Sequence, residues 1–198
     1  MTYVTGNVLP EAELNSKPRA NLALESAVIY PAPLLWWTWA DGSKPDTTGA
    51  TGNPKIIMGG YSSGTGIFQG QDAHGTTKTE TLALAFPLPE CYVAAGNVTL
   101  TATARYNDSA AGTITVKTLA AKVYKVSEDG TAGADINSTA PQTLTGTMAQ
   151  YSFTITPATL SPGNLLRIYL QIVLTVTGGT GAQKAEFGGA SLKLDIKG

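Results

Sequence analysis

One cysteine and one histidine in 198 residues leave little room for side-chain chemistry. Cys91 alone excludes an internal disulfide and any site built from several cysteines. It also suits synthesis in a reducing cytoplasm. Charge is scarce as well: 14% of residues are Asp, Glu, Lys or Arg, against about 25% in average soluble domains. The 13 Lys and Arg are thinly spread and the formal net charge is −1. No basic cluster exists to neutralise phosphates or to hold a membrane surface, so neither nucleic acid nor membrane is an expected partner. No apolar run reaches the roughly 20 residues that a membrane span needs. Met1 to Val4 opens neither a basic nor an apolar leader, so no signal peptide is expected. The glycosylation-type triplets at Asn97, Asn107 and Asn137 then read as chance in a Thr-rich chain.

What the chain has instead is Thr, Ser, Gly and alternating apolar residues. Leu82, Leu84 and Phe86 alternate with Thr81, Ala83 and Ala85. Val98, Leu100, Ala102, Ala104 and Tyr106 alternate with Thr99, Thr101, Thr103 and Arg105. That period of two marks half-buried strands. Ile114 to Val126 reads as a long strand whose inward phase shifts near Ala120-Ala121, as at a bulge. Tyr151, Phe153 and Ile155 share a face. Leu166, Ile168, Leu170, Ile172, Leu174 and Val176 form the longest inward row, with Arg167, Tyr169, Gln171 and Thr175 opposite. Leu192, Leu194 and Ile196 close the chain. Short strands are expected within Ile56–Tyr61 and Gly66–Gly70. About eight strands separated by Gly, Pro, Asp and Asn turns predict an all-β antiparallel sandwich, with a jelly roll fitting the count. Residues 1–30 carry prolines and scattered charges and read as an N-terminal arm, leaving 31–198 as the sandwich domain.

Few residues suggest catalysis. Asp72 and His74 share a loop, but a zinc site wants three or four ligands. Cys91 reads as a small buried hydrophobe. The carboxylates sit in turns or on solvent faces, and no two are marked as a pair. Asp129, Asp135 and Asn137 occupy one Gly-rich loop with oxygen ligands for calcium, but without the spacing of a calcium loop, so solvated turn residues are the preferred reading. Gly59-Gly60 and Gly64-Thr65-Gly66 precede no helix that would complete a phosphate site. No enzyme, metal or cofactor is therefore expected. The local feature that stands out is the Pro-bounded aromatic segment Tyr30, Leu35, Trp36, Trp37 and Trp39. It reads as a docking element, buried in the core or against a neighbouring subunit, in preference to a sugar-stacking surface.

Three stretches carry a resemblance: Phe86-Pro87-Leu88-Pro89-Glu90-Cys91-Tyr92-Val93 through Leu100, Thr154-Ile155-Thr156-Pro157 through Leu166, and the terminal Leu194-Asp195-Ile196-Lys197-Gly198. Across residues 76 to 198 the chain resembles small bacteriophage virion proteins of jelly-roll type. The resemblance implies a capsid decoration, or cement, protein on the phage head. It would be made in the host cytoplasm and associate with the major capsid protein and with itself as a trimer. The second reading is a carbohydrate-binding or receptor-binding module of a phage fibre or tail, with a glycan as partner.

Overall fold

The computed structural model describes residues 27–31, 38–39, 55–58, 66–70, 73, 75–108, 112–178 and 183–197. The strands in chain order are β1 (Ala27–Pro31), β2 (Thr38–Trp39), β3 (Lys55–Met58), β4 (Gly66–Gln69), β5 (Thr77–Pro87) and β6 (Val98–Asp108). They continue with β7 (Thr113–Val126), β8 (Ala132–Asp135), β9 (Gln142–Thr143), β10 (Ala149–Ile155), β11 (Leu165–Thr177) and β12 (Gln183–Asp195). No helix occurs among the described residues.

Two antiparallel sheets form a β-sandwich. Sheet A runs β10-β6-β12-β4-β3, and β1 joins β12 beyond β4. Sheet B runs β2-β5-β11-β7-β8, with β9 on the same edge of β7 as β8. From β4 to β12, each connection crosses between the sheets except β7 to β8 and β8 to β9, which stay within sheet B. Those crossings, with the order β4-β12-β6-β10 facing β5-β11-β7-β8, make the sandwich a jelly roll. Of the expected arm, residues 1–26 lie outside the described residues, and 27–30 belong to β1.

The core forms because each long strand puts alternate side chains inward. All of Leu166, Ile168, Leu170, Ile172, Leu174 and Val176 on β11 are buried. They lie beside Leu82, Leu84 and Phe86 of β5, and Leu119, Ala121 and Val123 of β7, on the inner face of the same sheet. Each large aliphatic buried this way contributes about 1.5–3 kcal/mol. In sheet A, small residues on β6 make room for aromatics beside them. Ala104 lies opposite Phe187, and Ala102 opposite Tyr151. Gly178, at φ 67°, ends β11 in a backbone conformation that L side chains resist.

Three details differ from the sequence reading: Cys91, expected as a buried hydrophobe, is only half-buried, and two strands depart from their expected course. The bulge in β7 is not at Ala120-Ala121, because Leu119, Ala121 and Val123 are buried in unbroken alternation. Against β11 the register shift lies at Thr115, where Thr175 pairs with Val116 and Val176 with Ile114, and against β8 a second shift falls between Tyr124 and Val126. And β12 begins at Gln183, nine residues before the alternation at Leu192 becomes legible. An extra residue, Gly188, stands between the pairs Phe187–Ala104 and Gly189–Thr103, so inward positions change from odd to even numbers.

The open edge of β7 is closed piece by piece. β9 covers Thr118–Leu119 and β8 covers Tyr124 to Val126. Between them the Asn137 amide donates to the Ala121 carbonyl at 2.9 Å. The Asp135 carboxylate accepts from the Val123 amide at 2.9 Å. An unpaired edge would otherwise template association with another chain. At the β5–β6 end, buried Tyr92 donates its hydroxyl to the Gly96 carbonyl. Burial, reinforced by the Asp195 charge, pushes this phenol above its ordinary pKa, so it remains a donor.

Leu170 has no exposed surface and lies in the middle of β11. Leu170→Ala is expected to lower unfolding free energy by about 2–5 kcal/mol. Urea denaturation checks this, and a loss under about 1 kcal/mol would mean that the β11 row is not the core described here.

Candidate functional site

Polar side chains gather in two places, and they differ in how much of their bonding capacity is already used. The first place is on sheet A. Glu186 is 2% exposed on β12. Gln69 Nε2 from β4 and Asn107 Nδ2 from β6 each donate to its Oε1 at 2.9 Å. Arg105 Nε from β6 pairs with Oε2. Lys184 Nζ adds a contact to Gln69 Oε1 at 3.3 Å. Burial opposes the charge on Glu186. Hydrogen bonds from Asn107, Arg105 and Gln69, with the Arg105 charge, outweigh burial and hold the carboxyl below its ordinary pKa. Both oxygens are engaged, so this carboxylate is a tie between three strands and is poorly suited to take a proton from a substrate.

The second place is the outer face of sheet B. The strict alternation that buries the even-numbered residues of β11 turns Arg167, Tyr169 and Gln171 outward. Register sets three cross-strand rows: Thr81–Gln171–Ala120, Ala83–Tyr169–Lys122 and Ala85–Arg167–Tyr124. Gln171 Nε2 donates to Thr81 Oγ1 at 3.1 Å. The rings of Tyr124 and Tyr169 meet edge to face, with centroids 5.9 Å apart at 77°. Ala120 is short where its neighbours are long, and the result is a shallow depression of about 110 Å³ lined by Thr81, Ala120, Ala121, Lys122, Tyr169 and Gln171. Residues bearing an aromatic ring, an amide, a hydroxyl and an ammonium thus line one shallow concavity.

The residues singled out in the sequence fall elsewhere. Leu35, Trp36 and Trp37 lie outside the described residues, as do Asp72 and His74. Backbone register places Tyr30 opposite Leu192 in sheet A and Trp39 opposite Leu82 in sheet B. β2 thereby flanks the β5 side of the depression, one strand spacing (about 4.8 Å) from β5. The loop acids do not converge. Asp129 accepts from the Thr131 amide, Asp135 from those of Val123 and Asn137, while Asn137 donates to Ala121 and Thr139. Among the described residues no three His, Cys, Asp or Glu side chains gather as a metal site would require. Sequence reading missed the Tyr169 face as a site. Its available signal was an aromatic–amide pair two residues apart opposite the most apolar row of the chain.

No protein-family model and no curated protein matches the chain. Solved structures do. The CBM22-1 xylan-binding domain of Paenibacillus barcinonensis Xyn10C is 11% identical, with 86% of this chain and 95% of that one covered and a TM-score of 0.47. TmCBM61 in complex with β-1,4-galactotriose is 16% identical, with 79% and 86% covered and a TM-score of 0.39. The enzymatically active domain of bacteriophage CBA120 tailspike protein 4 is 10% identical; 87% of this chain but 20% of that one is covered, at a TM-score of 0.40. At these identities the likeness is one of sandwich architecture.

The Glu186 tie has a pH signature. A carboxyl whose folded pKa is depressed contributes fully above its unfolded value, about 4.3. The contribution is lost as pH falls through the folded pKa. Glu186→Gln is expected to cost about 2–3 kcal/mol at neutral pH. That difference from the parent should shrink towards pH 3, as read by denaturant unfolding at both pH values. An equal deficit at both would show that the charge is not what ties the strands.

Proposed function

We propose that this chain is a non-catalytic carbohydrate-binding module, and that sugar binds on the outer face of β5, β11 and β7. The observation that carries the reading is Tyr169 at the depression, beside the Gln171–Thr81 pair. A sugar ring offers an apolar C–H face rimmed by hydroxyls. A tyrosine ring answers the first with a flat apolar surface. Amide and hydroxyl groups answer the second with donors and acceptors at fixed positions. These groups sit on the central strand and its two neighbours, whose other face is locked into the core. The site therefore needs little ordering on binding, which favours affinity.

The xylan-binding and galactotriose-bound structures share only the sandwich with this chain, and the proposal rests on the face itself. The capsid decoration, cement and trimer expected from the phage resemblance find no support in the comparisons. Among the stretches behind that resemblance, Leu88, Tyr92, Leu160 and Leu166 are all buried. Such residues maintain a jelly roll whatever its task, which is why they carry little functional information.

Tyr169→Ala is expected to weaken polysaccharide binding at least about tenfold, or about 1.4 kcal/mol. Ser152→Ala, exposed on the opposite sheet, should leave binding unchanged. Affinity electrophoresis in gels containing single polysaccharides measures both, with circular dichroism to confirm folding. Equal binding by parent and Tyr169→Ala would remove this face from the proposal.

A further inference from the structure

We propose that the sugar held by this face is acidic: a polysaccharide bearing carboxylates, such as a polyuronate. The proposal rests on the carbohydrate-binding reading and narrows it. Its ground is the distribution of charge. The outward residues of β5, β11 and β7 along the three rows include two cations, Lys122 and Arg167, and no acid. This is a basic patch on a chain whose formal net charge is −1. Neither cation forms an ion pair with a described residue, in contrast to Arg105, which is committed to Glu186.

The nearby acids are otherwise occupied or placed. The Asp135 carboxylate beside β7 accepts from the Val123 and Asn137 amides. Glu80 is buried in phase with the inward row of β5. Glu128 and Asp129 lie past the end of β7, and Asp129 closes its own turn on Thr131. Among the described residues no carboxylate pairs with Lys122 or Arg167, and a ligand can bring one.

Backbone register puts both cations beside Tyr169. Lys122 is directly opposite Tyr169, and Arg167 is two residues before Tyr169 on the same face. Lys122 and Arg167 are therefore diagonal cross-strand neighbours, roughly 7–8 Å apart at the backbone, with Tyr169 at the corner between them. A pyranose resting on Tyr169 would have its ring carboxylate within reach of a cation. The Arg fork matches a carboxylate with two parallel hydrogen bonds, and Lys supplies a compact point charge. Lys122 is exposed and Arg167 half-exposed, so the attraction is open to screening by salt.

The test is affinity electrophoresis of the full chain in polygalacturonate and alginate gels against neutral xylan, galactan and β-glucan gels. Lys122→Gln, Arg167→Gln and Tyr169→Ala are run alongside, with melting temperatures to confirm folding. Expected are retardation by the acidic polymers, at least about fivefold weaker binding for each charge variant, and weakening as salt rises from about 0.05 to about 0.5 M. Retardation only by neutral polymers, lost in Tyr169→Ala but kept in Lys122→Gln and Arg167→Gln, would overturn the acidic preference and leave the carbohydrate-binding reading standing. Acidic-polymer binding that survives Tyr169→Ala would be charge-driven adsorption and would also overturn it. No retardation in any gel would overturn both.

Discussion

β11 lies between β5 and β7 and has to satisfy two environments at once. Its even-numbered residues must be apolar and fit the core. Its odd-numbered residues then have no choice about where they point. A slip of one residue would exchange the two sets and bury Arg167 and Gln171, which no partner in the core could offset. The inward row thus fixes the outer one. The rows that align Tyr169 with Lys122 and Ala83, and Gln171 with Thr81 and Ala120, follow from core packing and not from any contact among themselves. A surface made this way is as rigid as the sheet that carries it, in contrast to one built on loops.

The same economy shows in how polar groups are deployed. Asn137 and Asp135 look from sequence like loop residues with ligand potential. In the fold their side chains complete the edge of β7, where backbone groups would otherwise lie open. Glu186, Arg105, Asn107 and Gln69 form a closed set that joins β4, β6 and β12. Against this background the outer face of sheet B stands apart, because Lys122 and Arg167 remain without a partner charge among the described residues.

Much of the sandwich was legible in advance. β5, β6, β10 and β11 alternate without interruption, and each predicted inward residue from Leu82 to Phe86 and from Leu166 to Val176 is buried. The first half of β12 was not legible, because the Gly188 bulge reverses the phase and buried Glu186 and Gln183 do not look like strand-core residues. β7 was placed correctly but its bulge was misplaced, since two adjacent alanines give no clue to which one faces inward. The candidate face was half visible. Tyr169 and Gln171 can be assigned to one side of a strand, but their neighbours Lys122, Ala120 and Thr81 lie about 50 to 90 residues away in sequence and depend on a pairing order that alternation does not encode. Trp36 and Trp37 are conspicuous in the sequence but lie outside the described residues.

Sugar binding at the face shared by Tyr169, Gln171, Thr81 and Lys122 is tested most directly by amide chemical-shift mapping of the isotope-labelled chain titrated with a soluble oligouronide. Expected are saturable shifts concentrated at residues 81–83, 120–124 and 167–171, with sheet A unaffected. Shifts confined to the outer face of sheet A, centred on β6 and β10, would contradict it.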